Sequence, residues 1–147
     1  MRLILTVVFA TLLALPATAQ EADAPVLDIR PAEDIVLGDF LWLNRLIVVF
    51  ANTDRDPNFR EQLELLAARP VDLLDREVII VTDTDPANPS ALREELRPRG
   101  FGWVLIDKDG VIKLRKPTPW HVREIVRSID KTELRQQEVR DRQEAAE

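Results

Sequence analysis

Leu46-Ile47-Val48-Val49-Phe50-Ala51, followed by Asn52-Thr53-Asp54-Arg55-Asp56 and Pro57, is the stretch on which the fold turns. Six consecutive apolar residues, half of them β-branched, leave no polar face, so Leu46–Ala51 reads as a strand buried on both sides. The polar turn ends in Asp56, whose carboxylate can accept from the first free helical N–H groups. Pro57 suits the first helical position, where its missing N–H would have had no partner. Phe59, Leu63, Leu66 and Ala67 recur at helical spacing until Pro70 ends the run. Val78-Ile79-Ile80-Val81 is a second doubly buried run, so strand, helix and strand form a parallel unit with a right-handed crossover.

Working outward, the same cap-plus-proline start recurs twice. Asn88-Pro89 opens a short helix through Ala91, Leu92 and Leu96, stopped by Pro98; Thr118-Pro119 opens one with Val122, Ile125, Val126 and Ile129 on a single face. Trp103–Ile106 and Val111–Leu114 flank Asp107-Lys108-Asp109-Gly110, the pattern of a hairpin. The order βαβαββα describes an α/β domain over residues 40–130, a mixed central sheet between two helical layers. Residues 20–39 read as an acidic leader arm, extended at most at Val26 to Ile29, and Phe40 and Trp42 are expected to pack on the domain edge. Asp130-Lys131-Thr132-Glu133 fits a capping box with Asp130 as cap, opening a charged C-terminal helix in residues 131–147. Leu134 and Val139 are its only large apolar residues, and Glu138 and Arg142 have the spacing of a pair along one helix face, so a solvated tail or a partner-docking helix is expected.

The amino terminus has the three parts of an export signal: Arg2, the apolar run Leu3–Leu15, and Ala17-Thr18-Ala19 as the small-x-small cleavage pattern. The run is too short to span a bilayer core of about 30 Å. Cleavage after Ala19 would leave a soluble chain of single-domain size, periplasmic or secreted, with no membrane attachment. The formal net charge of the 147 residues is −6, and no basic face with interleaved aromatics appears, which argues against nucleic acid. There is no cysteine. Packing, not disulfides, must therefore hold an exported domain together.

The strand, polar turn and capped helix resemble the first strand and active-site helix of thioredoxin-like proteins. More closely, Trp42-x-Asn44-Arg45-Leu46-Ile47-Val48-Val49-Phe50-Ala51, Asp56-Pro57, Arg60-x-Gln62-Leu63, Gly100-Phe101, Ile106-x-Lys108-Asp109-Gly110, Lys113-Leu114-Arg115 and Ile129-Asp130 resemble one family of secreted bacterial proteins. That family is known only as a thioredoxin-like domain of unknown function, with relatives as modules in vertebrate extracellular sushi-repeat and coiled-coil-domain matrix proteins. The resemblance covers roughly Phe40 to Val139. It implies a thioredoxin-like fold and a secreted setting, and carries no agreed activity. Paired cysteines of true thioredoxins would sit within Asn52–Asp56, and their cis-proline where Gly100-Phe101-Gly102 stands. Without a thiolate there is neither dithiol exchange nor thiol peroxidase chemistry.

What remains at the carboxyl end of the first strand is the place where open α/β sheets bind ligands. Asn52, Thr53, Asp54, Arg55 and Asp56 are candidate partner- or ligand-binding residues, together with Phe101, Trp120 and His121. Asp54, Asp56, Asp83 and Asp85 could converge on a cation, with Arg55 as an alternative neutraliser; helix capping and turn formation explain the same residues unaided. His121, the sole histidine, cannot build a two-histidine metal site. Trp120-His121 reads as edge-of-core packing or as a small recognition patch. Ser90 and Ser128 lack the setting of a nucleophile. The expectation is a non-catalytic extracytoplasmic module with no cofactor, binding an envelope or extracellular protein partner; the alternative is a metal-assisted or acid/base enzyme using Asp54, Asp56 and Asp83.

Overall fold

A computed structural model describes residues 24–147. The export signal expected in residues 1–19 lies outside the described residues. Five strands form one sheet in the order β1-β3-β2-β4-β5: β1 Ile29–Pro31, β2 Arg45–Phe50, β3 Val78–Asp83, β4 Gly102–Ile106 and β5 Ile112–Lys116. β2 and β3 are parallel neighbours with Ile47 opposite Ile80, as the two apolar runs require. β4 runs antiparallel to β2, and β5 antiparallel to β4 with a register shift at Leu105/Ile106. The mixed sheet with helices on both sides is the expected thioredoxin-like architecture.

The period-two alternation of strand side chains divides the core in two. Ile47, Val49, Ile80, Trp103 and Leu105 face one way, against Phe59, Leu66, Leu73, Val122, Ile125 and Ile129. Leu46, Val48, Phe50, Ile79, Val81 and Val104 face the other, against Leu92, Leu96 and Ile35. The first group of helical residues lies on α1 Pro57–Ala67, α2 Pro70–Leu74 and α4 Val122–Asp130; the second layer is α3 Ala91–Leu96 with a 3-10 turn at Ala32–Asp34.

Several boundaries differ from the sequence reading, each for a local reason. The arm contributes β1, pairing Ile29 with Ile80; the strand is Ile29–Pro31 rather than Val26 to Ile29. Its residues are exposed, so it carries no burial pattern, and Pro31 is tolerated because β1 is an edge. Pro70 does not merely end α1 but occupies the first turn of α2. Ala67 is exposed while Gln62 is fully buried. α3 starts after Ser90, whose hydroxyl accepts from the Arg93 N–H, because the Asn88 side chain is spent donating to Asp85. α4 starts after His121 rather than at Thr118-Pro119. The Thr118 carbonyl accepts from the Trp103 indole, and the main chain of Trp120 pairs with the Gln62 side chain, which holds 118–120 out of the helix. Trp42, expected on the domain edge, is 67% exposed with φ 64°, whereas Phe40 does pack on the core.

The C-terminal helix α5, Glu133–Ala145, is capped by Thr132, not Asp130, whose carboxylate takes two hydrogen bonds from Arg76 instead. It is not wholly solvated, being docked on its own domain through Glu138 and Arg135. Arg45, 1% exposed, donates to both Glu138 carboxylate oxygens (3.2 and 3.0 Å) and lies 2.9 Å from Asp107. Lys108 reaches Glu138 at 2.9 Å and also pairs with Glu77. Arg135 bridges Glu138 and Asp75. Glu138 is thus committed to the body of the domain rather than to Arg142, which points to Asp75. Among the described residues no helix is long and apolar enough to cross a membrane.

Candidate functional site

The carboxyl end of β2 delivers the chain into the polar turn. Asn52 to Arg55 are exposed and Asp56 half-buried. The turn is organised from within: the Thr53 hydroxyl accepts from the Arg55 N–H and donates to Asp54, and the Asp56 N–H donates to the Thr53 carbonyl. Asp56 Oδ1 accepts from the N–H groups of Asn58 (2.9 Å) and Phe59 (3.3 Å), the cap that the Asp-Pro pair announces. Arg60 reaches back to the Asp54 carbonyl.

Beneath this turn lies a buried ion pair that its sequence context conceals. Arg93 of α3 donates Nε to Asp83 Oδ1 (2.9 Å) and Nη2 to the carbonyls of Ala51 (2.8 Å) and Asp83 (3.1 Å). Ser90 donates to the second Asp83 oxygen at 2.6 Å, so both carboxylate oxygens are satisfied. The guanidinium also lies 5.4 Å from the Phe50 ring centroid. One arginine therefore fixes the last carbonyl before the turn to the end of β3. Arg55, the neutraliser considered from sequence, is not the partner.

The acidic convergence weighed against capping does not form among the described residues. Asp56 is a cap, Asp83 is paired, and Asp85 accepts from Asn88 and Ala87 in its own turn. Hydrogen bonding from the Asn88 side chain holds the Asp85 carboxyl below the usual carboxylate range. Among the described residues no three histidine, aspartate or glutamate side chains gather as a metal-ligand set.

Phe50 pairs with Gly102, so the chain leaving β2 and the chain entering β4 through Phe101 run side by side. Trp103, fully buried, packs edge-to-face on Trp120 at 5.8 Å. Lys116, opposite Trp103 in register, places Nζ 4.4 Å from the Trp120 ring centroid. Gln62 completes the corner, donating to the Trp120 carbonyl (3.0 Å) and accepting from its N–H (2.8 Å). The turn, Phe101 and Trp120 thus share this end of the sheet. His121 does not join them: it is exposed in a depression with Leu65, Ala68 and Arg69 of the last part of α1.

Beside Phe101 the surface opens into a groove of about 390 Å³, between the segment Arg97–Trp103 and the end of β5. Phe50, Phe101 and Trp103 line it, with the cations Arg97, Arg99, Arg115 and Lys116, and no carboxylate does. Arg97 caps α3 in the left-handed region (φ 47°) and Gly100 follows with φ 66°, which bends the segment outward. Sequence reasoning marked Phe101 but missed the cations, because they are spread over two segments that only the sheet brings together.

Solved structures with similar folds include a thioredoxin and a peroxiredoxin. Desulfothioredoxin from Desulfovibrio vulgaris Hildenborough, in its reduced form, superposes with a TM-score of 0.53 at 19% identity, covering 73% of this chain and all of that one. The reduced 2-Cys peroxiredoxin of Plasmodium vivax gives 0.53 at 16% identity, covering 65% and 81%. These likenesses concern the fold alone. The family model described as Domain of unknown function (DUF4174) matches residues 36–138, from the end of the arm to the Glu138 anchor of α5, and the chain belongs to that family.

Proposed function

We propose that this domain is a non-catalytic, extracytoplasmic thioredoxin-like module, periplasmic or secreted, that binds a partner or ligand at the sheet edge bearing Asn52–Asp56, Phe101 and Trp120. The carrying observation is that edge itself: a capped polar turn, anchored from below by Arg93, beside a groove, in a chain without cysteine. A buried ion pair tying the turn to the scaffold suits a surface that must keep one shape for recognition. The export pattern at the amino terminus and the resemblance to a family of secreted bacterial proteins support the extracytoplasmic setting. A metal-assisted or acid/base enzyme is less well supported, since Asp56 and Asp83 are already committed to the cap and to Arg93.

Two measurements test the proposal. Insulin reduction and peroxide consumption by the pure protein are expected to equal buffer alone, because no thiolate can form. Turnover that survives repurification and chelation would overturn the non-catalytic reading. Partners that co-purify with the exported protein are expected to be lost when residues 52–56 are replaced by a neutral turn of equal length. Retention of every partner would move the binding surface elsewhere.

A further inference from the structure

From the groove beside Phe101 we infer its occupant: an extended acidic segment of a protein partner, its carboxylates against Arg97, Arg99 and Arg115 and one apolar side chain in the groove. The inference rests on the binding-module reading and specifies the kind of partner. Three arginines and no carboxylate line one groove on a chain whose formal net charge is −6. That sign reversal is local. Screening over about 8 Å at physiological salt confines its attraction to groups seated in the groove, while the acidic remainder repels long polyanions.

The positions of the cations match an extended ligand. Arg115 and Lys116 lie on β5, the last strand of the sheet, which among the described residues pairs only with β4. Arg97 and Arg99 stand on the opposite bank. Arg115 is steadied by donating to the Leu96 carbonyl at 2.7 Å, so one of the three arginines is positioned before any ligand arrives, whereas the Lys116 ammonium turns to the Trp120 ring on the other face of the sheet. Lysine and arginine on an open edge strand discourage pairing with a second copy or a neutral strand. An acidic strand removes that repulsion, so the same residues that block promiscuous pairing select the partner. Phe101, half-buried at the mouth, supplies the apolar contact.

The test is an amide-resolved NMR titration of the full domain with a synthetic peptide, Glu-Asp-Phe-Glu-Asp, blocked at both ends. Its controls are the Gln-Asn-Phe-Gln-Asn counterpart and naphthalene-2-carboxylate. Saturable shifts are expected for residues 97–104 and 112–117. The neutral peptide should bind about tenfold or more weakly, in line with charge-assisted contacts. The double substitution Arg97→Gln, Arg99→Gln should weaken the acidic peptide about tenfold while leaving the melting temperature unchanged, since neither side chain anchors the core. Equal binding of acidic and neutral peptides overturns the assignment. So does saturation by naphthalene-2-carboxylate with no response to either peptide, which would make the site one for a small molecule. Shifts confined to 52–56 and Trp120 overturn the groove as the docking place yet leave the binding-module reading standing; that reading falls instead with the turnover and co-purification experiments above.

Discussion

Replacing Glu138 by glutamine keeps the shape of the side chain that anchors α5 and removes its charge. Arg45 is 1% exposed and retains Asp107, but Lys108 and Arg135 lose the carboxylate they share with it. Breaking a fully buried pair costs about 3–5 kcal/mol, and the Glu138 side chain keeps about a fifth of its surface in solvent, so about 2 kcal/mol is expected. Burial pushes the Glu138 carboxyl up, yet hydrogen bonds from Arg45 and Lys108 outweigh it and bring it from 4.5 down to about 2. A carboxyl depressed in the folded state stabilises in full above its unfolded value and loses that contribution as pH falls toward the folded one. Fully realised, the difference is worth about 3 kcal/mol; screening at the rim leaves about 1–2 kcal/mol. Urea unfolding followed by tryptophan fluorescence is the assay. The variant should unfold at a midpoint lower by about 1 M near neutral pH, with the gap to wild type narrowing from about pH 4.5 toward pH 2. A gap below about 0.5 kcal/mol at neutral pH, or one that stays constant down to about pH 2, would refute the reasoning.

Other parts of the structure make equally direct predictions. Asp56→Ala should cost about 1 kcal/mol from the lost cap, read by thermal unfolding. Millimolar calcium should leave the wild-type melting temperature unchanged; a calcium-dependent rise abolished by Asp54→Asn would restore the cation reading. Asp83→Ala strands Arg93 in the core and should cost about 3 kcal/mol, with faster hydrogen exchange at Asn52–Asp56, whereas exchange there at the wild-type rate would detach the turn from the ion pair. Gln62→Ala leaves the Trp120 N–H and carbonyl without their partner and should cost about 1–3 kcal/mol by denaturant titration.

The layers of this fold were legible because doubly buried strands cannot hide. Leu46–Ala51 and Val78–Val81 offer no polar face, and the sheet pairs them accordingly. β1 was not legible, since three exposed residues held by main-chain bonds to an edge leave no pattern. The true helix starts at Ser90, His121 and Thr132 each sit two residues or more beyond the expected caps, because Asn88, Thr118 and Asp130 had other hydrogen-bond partners that only the tertiary structure supplies. The turn Asn52–Asp56 and Phe101 could be marked from sequence by their place after β2 and before β4. Arg93 could not: in a short helix rich in charge, nothing distinguishes the arginine that turns inward to Asp83 from those that face water. The docking of α5 was hidden for the same reason, its anchor being a charge in a charged helix.

The central claim, that this end of the sheet is a recognition surface, is tested most directly by a photo-crosslinking residue placed at Phe101 in the producing cell. The same residue at the exposed Glu94 of α3 and Arg127 of α4 provides the controls. A discrete protein adduct is expected from position 101, reduced when Arg97 and Arg99 are changed to glutamine, and none from the controls. Adducts of equal yield at all three positions, or at the controls alone, would contradict it.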